Sequence, residues 1–203
     1  MINVAVFVSG RGSNFRLVYE KVPPEKINYS ALISDKKECA AVDFASQKKI
    51  PVFYVSNTNK ENFISYDKLL TELNKKKIHL ILLAGFLKKI PDEFIDEFEN
   101  KIINIHPALL PSFGGKGMYG MNVHKAVFDS SVKVSGATVH FVDKIYDNGK
   151  IILQKTVDIS NVKNPEEIAE KVLKVEHEIF PFVVEKFTDD KIKFINNRVV
   201  ILD

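Results

Sequence analysis

The sequence predicts an α/β fold, with a parallel sheet covered by helices on both faces and a Rossmann-like, nucleotide-binding N-terminal half. Three observations carry the prediction. Ile2 to Val8 is β-branched and nearly all apolar, the pattern of a central strand buried on both sides. The next stretch, Ser9-Gly10-Arg11-Gly12-Ser13-Asn14, runs into Phe15-Arg16-Leu17-Val18-Tyr19-Glu20, whose apolar residues have helical spacing. Strand, glycine turn and helix together open a nucleotide-type unit. Strand-like and helix-like segments then keep alternating as far as Ile105, which calls for parallel pairing.

Taken in order, Tyr29 to Ser34 reads as a strand and Glu38 to Lys48 as a helix with Ala40, Ala41, Phe44 and Ala45 on its apolar side. Val52 to Val55 is a short strand, and Asn62 to Lys75 a helix carrying Phe63, Tyr66, Leu69, Leu70 and Leu73. Leu80 to Leu83 is a buried strand closed by Ala84-Gly85-Phe86, and Pro91 to Phe98 a short helix with proline in its first turn. Ile102 to Ile105 is the next strand. The pattern changes after Pro111. Phe113 to Val123 holds four glycines without periodicity and is expected to be a long functional loop. His124 to Phe128 reads as a helical turn or two. Ser135 to Val142 and Ile151 to Asp158 read as strands, and Pro165 to Lys186 as the longest helix. Lys191 to Ile195 and Val199 to Leu202 flank Asn196-Asn197-Arg198 as a terminal hairpin.

At 203 residues, 45% hydrophobic and 27% charged, the chain reads as one continuous soluble domain without repeats or linkers. A net charge of +3 from 29 basic and 26 acidic residues argues against a nucleic-acid surface. Cys39 is the sole cysteine, so no internal disulfide forms and a reducing, cytoplasmic setting is expected. The N-terminus lacks the basic region of a signal peptide, and no apolar run approaches the roughly 18–20 residues of a membrane span. Histidine spacing supports no metal site.

The chemistry concentrates in Asn104-Ile105-His106-Pro107-Ala108-Leu109-Leu110-Pro111-Ser112. Asn104 and His106 alternate at a strand's end and so share a face. Pro107 and Pro111 force the chain out of the sheet. An amide donor beside a titratable ring suits acyl-type chemistry. Thr138 and His140 lie near the end of a later strand, with Asp147 in the loop beyond. If those strands are neighbours, Asp147 reaches the ring of His106 and raises its pKa. On spacing alone, Asp147 fits a simple Asp-Asn-Gly turn better. Asp143 reads as a solvated loop aspartate, His124 as a residue capping or packing a short helix, and His79 as a surface residue. The Gly10–Asn14 turn offers backbone N–H groups at a helix N-terminus, with the side chains of Ser13 and Asn14 as further donors. Phe15 replaces the third glycine of the dinucleotide fingerprint, which favours a phosphate monoester over NAD. Glu176 and His177 interrupt the apolar stripe of the long helix; a polar face and a ligand-hydroxyl acceptor remain equally open.

Five blocks in order resemble the phosphoribosylglycinamide formyltransferase family along essentially the whole chain. They are Ser9–Asn14, Asn104–Phe113, Thr138–Asp143, Asp147–Gln154 and Glu176–Pro181. The resemblance implies the formyltransferase fold, a mixed, mostly parallel seven-stranded sheet. It also implies a phosphate-binding half over residues 1–100 and a catalytic, folate-binding half over 101–203. The implied reaction passes the formyl group of the co-substrate 10-formyltetrahydrofolate to the amine of glycinamide ribonucleotide in purine synthesis, with no metal. Carried over by position, Asn104, His106 and Asp147 are the catalytic residues, supported by Thr138 and His140. Gly12, Ser13 and Asn14 hold the substrate phosphate, Arg11 and Pro107 stand with them, and Glu176 accepts from the ribose hydroxyls. Leu87, Lys88, Lys89 and Ile90, with Ile145, Tyr146 and Asp147, enclose the pterin ring. The implied partners are these small molecules alone, with no nucleic acid or membrane, and the chain is a monomer or homodimer.

This sequence departs from the pattern at Lys89, where many relatives carry an apolar residue, and at Leu173, where some place a polar or basic phosphate contact. Its Gly114–Asn122 loop is longer than in the shortest relatives and suits a lid. Relatives with the same Asn-His-Asp core formylate methionyl-tRNA or hydrolyse formyl-tetrahydrofolate. They carry added domains for which this chain is expected to have no room, so a hydrolase and a non-catalytic phosphate binder are the competing readings.

Overall fold

The structure, a computed structural model, describes residues 1–58 and 60–203. It is an α/β fold built on a seven-stranded sheet of order β3-β2-β1-β4-β5-β6-β7, with a separate two-stranded hairpin. The chain forms two compact units, Met1–Ile103 and Asn104–Asp203.

The first unit contains β1 (Ile2–Val8), α1 (Ser13–Lys21), β2 (Ile27–Ser34), α2 (Ala40–Gln47), β3 (Val52–Tyr54), α3 (Tyr66–Lys75), β4 (Leu80–Leu83) and α4 (Asp92–Glu97). β1 pairs in parallel with both β2 and β4, and β2 with β3. Val4 to Val8 are all inaccessible to solvent, as an all-apolar strand covered on both faces must be. Phe15 of α1 packs edge-on against Phe44 of α2, with ring centroids 5.4 Å apart, so the two helices share an aromatic contact.

Helix α3 starts four residues later than its apolar pattern suggests. Ile64 is drawn into a parallel bridge with Val55, and its N–H donates to Tyr54 O at 2.8 Å. Ser65 then caps the helix by accepting from the N–H of Lys68 at 3.4 Å. An extended pairing thus claims the residues that helical spacing alone assigns to the first turn.

β5 (Ile102–His106) begins in the first unit and ends in the second. The second unit continues with α5 (Met121–Asp129), β6 (Val134–Phe141), β7 (Ile151–Asp158), α6 (Pro165–Thr188), β8 (Ile192–Ile195) and β9 (Arg198–Ile201). β6 and β7 run antiparallel, as do β8 and β9. Helix α5 starts at Met121, three residues before the expected His124, so the glycine loop ends at Gly120, whose φ is +54°. Asn164 caps α6 by accepting from the N–H of Glu167, and Pro165 occupies the first turn. Among the described residues no helix is long and apolar enough to cross a membrane.

Candidate active site

Asn104 and His106 sit one residue apart at the end of β5, and the second unit gathers Thr138, His140 and Asp147 around them. The Nδ2 of Asn104 lies 3.1 Å from His140 Nε2. Asp147 reaches both rings, with Oδ2 3.6 Å from His106 Nδ1 and Oδ1 3.7 Å from His140 Nε2. The β6–β7 ladder shifts register between Val139 and His140, a local irregularity of the kind that re-aims side chains beside sites.

Obligatory acceptors fix where the protons lie. His106 Nε2 is 2.9 Å from the carbonyl of Phe113, which only accepts, so Nε2 carries the hydrogen and Nδ1 faces Asp147. His140 Nδ1 is likewise 2.8 Å from the carbonyl of Phe141, so in the neutral ring Nε2 accepts from Asn104. That bond orients the amide and leaves its second N–H available to another acceptor. The N–H of Gly115 donates to Asp147 Oδ2 at 2.9 Å. Asp147 itself has φ +55°, a left-handed conformation that aspartate tolerates better than most residues.

The backbone of the glycine loop therefore touches both the imidazole and the carboxylate. Gly114 makes this approach possible, because a Cβ there would lie 2.5 Å from Leu110 Cδ2 and 3.1 Å from Asp147 Cβ. Neither carbonyl nor N–H leaves a mark in a side-chain pattern, and only the glycines hinted at the contact. Thr138 supports the loop after β5, its hydroxyl donating to Ala108 O at 2.6 Å. Asp143 is more than a solvated aspartate, since its carboxylate accepts from Ile145 N and Asn148 Nδ2 and shapes the turn that carries Asp147.

Asp147 does act to raise the pKa of His106, as expected, but the net shift is downward. Burial lowers it below the usual histidine value and outweighs the opposing effects of Asp147 and the Phe113 carbonyl. His140 is lowered by burial too, against the pull of the Phe141 carbonyl and Asp147. Both rings rest neutral at pH 7, which is the state that lets His140 accept from Asn104. His124, expected only to cap or pack its helix, is buried on α5; burial is again the main cause of its lowered pKa, and protonation of it and of His106 would oppose each other. Glu176 is buried on α6.

The first unit holds the predicted Arg11–Asn14 turn and the Leu87–Ile90 segment. Gly12 caps α1 in a left-handed conformation, φ +68°, and the first turn of α1 carries no acidic residue. A Cβ on Gly12 would lie 2.5 Å from Ala41 Cβ, so the turn and α2 approach as closely as glycine allows. Ser9 is buried and its Oγ accepts from the N–H of Leu87 at 3.0 Å, tying the glycine turn to the segment after β4. In that segment Leu87 is exposed while Ile90 is 3% exposed. Lys88 is exposed, and the amine of Lys89 pairs with Asp92 at 2.9 Å. Ile145 and Tyr146, in the second unit, are 65% and 44% exposed, an uncovered apolar surface beside Asp147.

Known proteins resemble this chain along most of its length. A family model described as formyl transferase matches residues 2–184. The chain is 41% identical over 203 residues to a chloroplastic phosphoribosylglycinamide formyltransferase of Arabidopsis thaliana, covering 98% of this chain and 70% of that protein. It is 35% identical over 201 residues to the phosphoribosylglycinamide formyltransferase of Bacillus subtilis (strain 168), covering 98% of each. The crystal structure of phosphoribosylglycinamide formyltransferase from Anaplasma phagocytophilum matches with a TM-score of 0.88 at 32% identity, over 100% of this chain and 94% of that one.

Proposed function

The chain belongs to the formyl transferase family, on the phosphoribosylglycinamide formyltransferase branch of purine biosynthesis, and on that premise we propose how its residues carry the transfer. The substrates are 10-formyltetrahydrofolate and 5'-phosphoribosylglycinamide. The folate supplies a formyl carbon bound to nitrogen, a good acceptor for an amine. Asn104, oriented by neutral His140, donates its remaining N–H to the formyl oxygen as the amine attacks and charge builds there. His106, with Nε2–H held by Phe113, takes at Nδ1 the proton that the attacking nitrogen loses. It gives that proton to the departing folate nitrogen as the old C–N bond breaks, so the ring ends neutral as it began. Asp147 stabilises the imidazolium between the two transfers and orients the ring.

Arg11 to Asn14 bind the substrate phosphate at the start of α1, whose first turn carries no competing carboxylate. Glu176 accepts from the ribose hydroxyls, and Pro107 shapes the substrate side of the loop. Ile145 and Tyr146 offer the flat pterin an exposed apolar surface beside Asp147.

The observation that carries this reading is the cluster of Asn104, His106, His140 and Asp147, in which the Phe113 and Phe141 carbonyls set the two ring tautomers. The test is an assay of the purified chain with the formyl-folate, run with and without the ribonucleotide amine. Formylated ribonucleotide is expected only when both are present. Formate released without the amine would make the chain a hydrolase, and tight binding without product would make it a binder.

A further inference from the structure

We propose that Gln154 is a positioning residue for His106, acting through Thr138 and the backbone of the loop that leaves β5. The inference rests on His106 working in the transfer as described above. Gln154 and Thr138 are direct cross-strand partners on β7 and β6, so their side chains share a face of the sheet. Gln154 Nε2 lies 2.8 Å from Leu110 O and 3.0 Å from Thr138 Oγ1. Leu110 O only accepts, so the atom facing it is the amide nitrogen. The Thr138 hydroxyl has given its proton to Ala108 O, and it therefore accepts both from Gln154 and from the N–H of Leu110 at 3.1 Å.

Every hydrogen-bonding site of the hydroxyl is then in use. Three backbone groups of the loop, Ala108 C=O and both polar groups of Leu110, are held by two side chains. Gly136, two residues before Thr138, gives the loop room, because a Cβ there would lie 2.8 Å from Leu109 Cδ2. Three residues past Leu110 the chain reaches Phe113, whose carbonyl accepts the Nε2 hydrogen of His106. Gln154 thus fixes one end of a short tether, and the imidazole is tied to the other. A shift of the tether moves Phe113 O and frees the ring to change tautomer or tilt.

Gln154 is exposed and outside the apolar core, so its role in the rate separates from its role in stability. Gln154→Glu keeps the shape but sets an acceptor against Leu110 O and Thr138 Oγ1, and it is expected to be worse than Gln154→Ala. The expected loss for Gln154→Glu is on the order of tenfold in kcat, with KM for both substrates within about twofold, since a displaced group costs rate before binding. Thr138→Val is expected to behave like Gln154→Glu, and Thr138→Ser to restore most of the rate by keeping the hydroxyl.

The second readout is the nitrogen NMR signature of the His106 ring, expected to be Nε2-protonated in the parent and mixed in Gln154→Glu and Thr138→Val. Unchanged ring signals, or an unchanged kcat in Gln154→Glu, would overturn the inference. Parent-level turnover in His106→Ala would instead overturn the catalytic reading beneath it, so the two failures are distinguishable.

Discussion

At His106 burial and a neighbouring carboxylate pull in opposite directions, and burial wins. The sign of the pH dependence follows. If the neutral ring is the working base, kcat/KM rises with pH through a pKa below 6.5 and is level by neutrality. If a resting imidazolium were the donor, kcat/KM would instead fall as pH rises through that same value, so a pH profile between 5 and 8 separates the two. Replacing His106 by Ala or Asp147 by Asn is expected to lower turnover by about two decades or more, the usual loss for a removed proton shuttle or its partner. The circular dichroism spectrum should stay native, because asparagine also tolerates the φ of +55° at position 147. The Asn-x-His spacing was legible in the sequence, as was Asp147 as a partner through resemblance. The direction of the pKa shift was not, since it depends on how much of the ring the fold removes from water.

Among the elements, the legible ones were those whose ends are set locally. β1 and β7 keep their expected bounds, and α6 starts at its proline behind an asparagine cap. α3 was misplaced at its start because the bridge between Val55 and Ile64 is a contact between segments, which periodicity does not contain. The α1 turn offers a quantitative test. Gly12→Ala must carry a side chain at φ +68° and press Cβ against Ala41 at 2.5 Å. The expected cost is about 2–4 kcal/mol, from left-handed strain plus overpacking. A urea melt measures it, and a raised KM for the phosphate-bearing substrate should accompany it. Loss of stability without any change in KM would remove the turn from the substrate site.

For the molecule as a whole, three histidines of the second unit are buried with lowered pKa values: His106, His124 and His140. The unfolded chain protonates them near pH 6.5 while the native chain does not, so the unfolded state binds more protons in that window. Stability is therefore constant with respect to these groups above pH 7. It falls as pH drops from about 6.5 toward the lower native values, by up to about 1.4 kcal/mol per pH unit for each ring. Denaturant melts at pH 7 and 5.5 check this, and His124→Gln should flatten the slope; an unchanged slope would mean that His124 is not held neutral.

The contacts that the loop after Pro111 makes with His106 and Asp147 are written in its main chain, at the carbonyl of Phe113 and the amide of Gly115. Conventional mutagenesis at those two positions alters volume and flexibility but leaves both partners in place. Only atom replacement within the peptide link, an ester oxygen substituted for the nitrogen of residue 115, deletes the contact to Asp147 while leaving the amino-acid order of the loop untouched.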